Sequence, residues 1–116
     1  MRVVDKRVEE YTHYIGRGGG FGNPFTHLPL NRTQAVVQVN TIEDAVKCFG
    51  DWARGDRGWA HVWPKKRIAM LQLIAKLPEE AVLGCYGCKP CCHGDEIIKL
   101  WYEIKEGKLC VSGAGV

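Results

Sequence analysis

Cysteine, histidine and aspartate crowd into Cys85-Tyr86-Gly87-Cys88-Lys89-Pro90-Cys91-Cys92-His93-Gly94-Asp95, where four of the six cysteines fall within eleven residues. Such side chains ligate soft metals, attack electrophiles as thiolates or move protons. In one chemistry zinc is the cofactor, held by Cys85, Cys88 and part of the Cys91, Cys92 and His93 set. Thiolate and imidazole are its preferred ligands, and Cys85-x-x-Cys88 has the spacing of a knuckle. The second half of the set follows too closely for one loop to surround an ion easily, and Cys48 or Cys110 could complete such a site. In another chemistry Cys92 is a nucleophilic or redox thiol whose pKa is lowered near a helix start. His93 is then its neighbour, and Asp95 the orienting group or acid/base. An iron–sulfur loop has the Cys85, Cys88 and Cys91 spacing but carries Asp95 where a fourth cysteine is expected. Cysteine is also a common small buried hydrophobe, which is the expectation for Cys48 on a helix and Cys110 in an apolar strand.

A second unusual stretch lies upstream. Gly16-Arg17-Gly18-Gly19-Gly20-Phe21-Gly22-Asn23 holds five glycines and one arginine before Pro24. Consecutive glycines can aim several backbone N–H groups at one anion, and Arg17 adds a bidentate donor for phosphate or carboxylate. Gly16, Gly18, Gly19, Gly20 and Gly22 are therefore read with Arg17 as a ligand-binding loop, and Asn23 as a residue that positions a polar group. The loop is no dinucleotide fingerprint, since Asn23-Pro24 stands where a helix should begin, and it lacks the Gly-Lys-Ser/Thr of a P-loop. A flexible hairpin connection with one solvated arginine is the plainer alternative.

Trp59, His61 and Trp63 alternate before Lys65-Lys66-Arg67, a pattern that can stack bases and hold phosphates of a single strand. Tryptophans beside a core helix more often pack, and that reading is favoured over nucleic-acid contact. The net charge of +3 is compatible with an anionic small molecule and far from that of a dedicated DNA coater. No apolar run approaches the roughly 18 residues of a membrane span. The charged start Met1-Arg2-Val3-Val4-Asp5-Lys6 resembles no export signal. The expected location is cytoplasmic, where clustered thiols more often bind metal or do chemistry than form disulfides.

The elements that must position these residues follow from periodicity. Val3–Val4 and Tyr11–Ile15 suit strands, and Val36, Val37 and Val39 suit a strand or a packed loop. Thr41 reads as an N-cap, with Ile42, Ala45, Val46, Phe49, Trp52 and Ala53 at helical spacing and Gly55 as the stop. Pro64 opens a second helix with Ile68, Leu71, Ile74 and Ala75 inward, ended by Pro78. Ala81–Leu83 leads into the cysteine loop, a third helix buries Ile97, Ile98, Trp101 and Ile104, and Leu109–Val111 adds a final strand. At 116 residues this is one α/β domain over 1–116, a small layered structure with a three- to five-stranded sheet and about three helices.

Tyr14-Ile15-Gly16-Arg17-Gly18, then Gly22-Asn23-Pro24-Phe25, a central amphipathic helix and a late Cys92-His93-Gly94-Asp95 together resemble an uncharacterised domain-of-unknown-function family of phages and bacteria. The resemblance spans most of the chain. It implies a small α/β domain in which the two loops share a site, and it implies no substrate. Family members look to have Cys-x-Cys before Cys-His, whereas this chain has Cys85-x-x-Cys88 and the additional Cys91. The leading expectation is a small cytosolic protein that binds a phosphate-bearing nucleotide or nucleotide-sugar and acts on it through Cys92, His93 and Asp95. The alternative is a zinc-stabilised interaction module contacting nucleic acid or a protein.

Overall fold

The computed structural model describes residues 1–16, 20–85 and 93–111. Along the chain run β1 (Arg2–Asp5), β2 (His13–Tyr14), β3 (Phe25–Thr26), β4 (Val37–Gln38), α1 (Ile42–Ala53), α2 (Pro64–Ala75), β5 (Val82–Cys85) and α3 (His93–Lys105). Single 3-10 turns occupy Leu30–Arg32 and Arg57–Trp59.

The larger sheet has the order β1-β5-β2, and both pairings are parallel. Val3 and His13 both stand opposite Leu83, and Val4 and Tyr14 opposite Gly84. Because all three strands run the same way, Asp5, Tyr14 and Cys85 end on one edge. Parallel neighbours need long crossovers, and the β2-to-β5 crossover contains α1 and α2. β3 and β4 form a second, two-stranded parallel sheet with Phe25 opposite Val37. The described residues form a mixed α/β fold with three α-helices.

Each helix starts and stops for local reasons. The Thr41 hydroxyl accepts from the Asp44 N–H at 3.0 Å, and Glu43 and Asp44 place negative charge in the first turn of α1. Gly55, at φ +91°, ends it in the left-handed region that favours glycine. Pro64 opens α2, where its missing N–H is harmless. α3 carries Asp95 and Glu96 in its first turn and Lys105 in its last, each matched to the helix dipole.

The apolar faces meet in one cluster that includes Ile15, Phe49, Trp52, Leu71, Ile74, Leu83, Ile97, Leu100 and Trp101. The two buried indole N–H groups find carbonyls: Trp52 donates to Val62 at 2.6 Å and Trp101 to Leu77 at 2.8 Å. α3 packs on α1, α2 and β1. Across the α1–α3 seam, Arg54 donates to both Glu103 oxygens and to Glu96, with the shortest bond at 2.7 Å. Hydrogen bonding to Glu103 raises the Arg54 pKa, and the same contact lowers that of Glu103.

One expected strand is absent among the described residues. Leu109 and Val111 pack against the core without pairing to a strand, and Cys110 between them is exposed rather than buried. Apolar alternation there reflects side chains packed against the core, not a ladder. Cys48 is half-buried on α1, where burial pushes its thiol pKa up.

Candidate functional site

Both unusual stretches leave the same edge of the main sheet. β2 runs through Ile15 into Gly16, and β5 ends at Cys85. Arg17, Gly18 and Gly19 lie outside the described residues, as do Cys88, Cys91 and Cys92. Among the residues that frame them, His93 joins the two sides.

His93 is the first residue of α3. Its Nε2 stands 2.9 Å from the Ile15 carbonyl and 2.9 Å from the Phe21 carbonyl. Two carbonyls can only accept, so Nε2 carries a proton and shares it between them. Ile15 and Phe21 flank Gly16–Gly20, so one imidazole ties the two ends of the glycine loop together. The ring also meets Phe49 of α1 edge-on at 5.1 Å, which fixes its plane. With the Nε2 proton committed to the loop, proton transfer by His93 would have to use Nδ1.

Gly94 explains how α3 approaches so closely. A Cβ at this buried position would stand 2.7 Å from Ile15 Cδ1 and 2.7 Å from Val3 Cγ2. Glycine therefore lets the helix start press onto β1 and the residue that precedes the glycine loop. Asp95 is exposed in the same first turn. Within His93-Gly94-Asp95, then, the first two residues dock the helix and the third faces solvent.

Asn23 anchors the other flank. It is 7% exposed, its Nδ2 donates to the Ala45 carbonyl at 3.2 Å, and its Oδ1 accepts from the Phe25 N–H at 2.9 Å. The carboxamide thus holds Pro24-Phe25 in an Asx turn against α1. In both of these bonds the Asn23 carboxamide serves the loop itself.

On its α2 side the segment Gly20–Gly22 borders a cleft of about 250 Å³, lined also by Gln34, Trp63, Lys66 and Leu73. Gly20 adopts φ +92°, and a Cβ on it would meet Leu73 Cδ1 at 2.7 Å. Lys66 Nζ lies 4.3 Å from the centroid of the Trp63 ring. Sequence spacing does not announce this cleft, because it brings together residues from four separate segments, Trp52 of α1 among them. The available signal was Trp63 with Lys66, one turn of α2 apart.

The aromatic run before α2 and the basic residues in its first turn are partly used in packing. Trp59 meets Phe25 edge-on at 4.9 Å. Arg67 Nε donates to the Trp52 and Ala53 carbonyls at 2.9 and 3.1 Å, satisfying the end of α1, and burial lowers its pKa. Lys65, Lys66 and His61 remain exposed.

Cys85 is engaged in a disulfide. A disulfide sulfur is no thiolate, so zinc ligation by Cys85 requires the reduced chain. Among the described residues no group of three or more His, Cys, Asp or Glu is placed to hold a metal. Cys88, Cys91 and Cys92 fall outside that statement. Among the described residues, too, no helix is long and apolar enough to cross a membrane.

A family model described as a domain of unknown function, DUF4326, matches residues 2–103. The chain belongs to the DUF4326 family. The DUF4326 match runs from the first residue of β1 almost to the end of α3, so it contains both loops, the His93 tie and the cleft beside α2. No curated protein and no solved structure matches the chain.

Proposed function

We propose that this DUF4326 domain is a cytosolic protein that binds a phosphate-bearing nucleotide or nucleotide-sugar through Gly16–Gly22. The observation that carries the reading is the His93 tie. A histidine opening α3 holds both ends of a glycine-rich loop, at the edge where three parallel strands finish. In α/β proteins this edge, beside helix starts, is where ligands gather. Glycine N–H groups and the Arg17 guanidinium are the phosphate donors in this reading. Asp95, and Cys92 next to His93 in sequence, are the groups proposed to act on the bound ligand.

Thermal unfolding of metal-free protein with a panel of nucleoside phosphates and nucleotide-sugars tests this. A ligand at a hundred times its Kd stabilises by about 2.7 kcal/mol, which raises Tm by several degrees in a domain of this size. A rise with at least one such compound is expected. No rise with any, together with stoichiometric zinc whose removal unfolds the chain, would replace the proposal by a zinc-stabilised interaction module.

A further inference from the structure

We propose that the cleft between Gly20–Gly22 and α2 takes the nucleobase of the ligand, stacked on the Trp63 indole in place of the Lys66 ammonium. The inference rests on the nucleotide reading above and specifies which part of the ligand goes where. Three observations carry it.

The first is size. About 250 Å³ is below the ~300–1,000 Å³ of pockets that enclose a whole drug-sized ligand. It suits one flat ring system and leaves sugar and phosphate outside. Gly20 belongs to both the cleft wall and the glycine loop, so a base seated here puts its phosphates beside that loop.

The second is chemistry. The lining combines an indole face, apolar surface from Met70 and Leu73, and the Gln34 carboxamide, which can both donate to and accept from a base edge. The third is local backbone. Among the described residues Trp63 is the one non-glycine residue in the left-handed region, at φ 39°. It also precedes Pro64, where extended backbone is normally preferred. Strain of this kind concentrates where a side chain must be aimed at a ligand.

Lys66 covers the indole. Base–aromatic stacking outweighs an exposed cation–π contact, so an entering base displaces the ammonium. Lys66 is exposed on a long flexible stem and is then available to the phosphates.

The test is isothermal titration of the full chain with inorganic pyrophosphate and with ADP, GDP, CDP and UDP. At least one nucleoside diphosphate should bind about tenfold or more tighter than pyrophosphate, the scale of one base stack. Trp63→Leu should collapse that ratio to about one. Should that variant fail to fold, Ala69→Phe decides, since Ala69 is an exposed α2 residue lining the cleft and a phenyl ring would fill it. A ratio near one in the unaltered protein, or a ratio that survives cleft filling, overturns the base subsite and leaves phosphate binding intact. Binding of none of the five probes overturns the nucleotide reading along with it.

Discussion

Removing the His93 imidazole should loosen the joint between the glycine loop and α3, and the size of the loss follows from what the ring touches. His93→Ala deletes one N–H shared between the Ile15 and Phe21 carbonyls. Ile15 is 0% and Phe21 6% exposed, so water cannot readily replace the donor. Depriving buried acceptors of their partner is worth about 1–3 kcal/mol, counted once because a single proton serves both. Loss of the edge-on contact with Phe49 adds about 0.5–1.5 kcal/mol. The expected destabilisation is therefore about 1.5–4.5 kcal/mol, a large part of the ~5–15 kcal/mol of a typical domain. Urea unfolding measures it, with the midpoint falling by about 1–2 M at the usual slope for a small protein. His93→Gln keeps an N–H donor of similar reach and should recover part of the loss. A change below about 0.5 kcal/mol in His93→Ala, or no recovery in His93→Gln, would refute the tie.

Gly94→Ala should destabilise by about 1–3 kcal/mol, because its Cβ needs space held by Ile15 and Val3 in the core; equilibrium unfolding checks this. The Arg54–Glu103 pair gives a pH signature. Arg54 holds the Glu103 carboxyl below its ordinary range, so the pair's stabilisation is complete above the unfolded pKa near ~4.3 and is lost as pH falls through the folded value. Both side chains are about a third exposed or slightly less, so Glu103→Gln should lose no more than about 1 kcal/mol at neutral pH. Its denaturation curves between pH 3 and 5 should also be flatter in pH than those of the parent.

The parts of the fold that could be read from sequence are those with local causes. Thr41, Gly55 and Pro64 mark helix ends through caps and backbone preferences, and α1 and α2 begin where those residues place them. β3 and β4 are two residues each and are set by the Asn23 turn and by Val36 and Val37 bonding to the Pro24 carbonyl, so no periodic pattern announces them. Cys110 is exposed against expectation because apolar alternation at Leu109–Val111 has the same appearance in a strand and in an unpaired segment packed against the core. For the site, the paired motifs pointed to a meeting of two loops. Residues 86–92 lie outside the described residues; what joins the two stretches among the described ones is the hydrogen bond of His93 to Ile15, 78 residues away, which spacing alone cannot reveal. The same holds for Asn23, whose partner Ala45 lies on α1.

Isothermal titration of the tightest nucleoside phosphate from the panel into the parent and Arg17→Ala proteins tests the central claim most directly. The guanidinium is proposed to supply a charged hydrogen bond to phosphate, worth about 1.5–3 kcal/mol. Affinity should therefore fall about tenfold to a hundredfold, while the unfolding temperature of the ligand-free protein stays within about one degree. Equal affinities in the two proteins would contradict the claim that the glycine–arginine loop is the phosphate site.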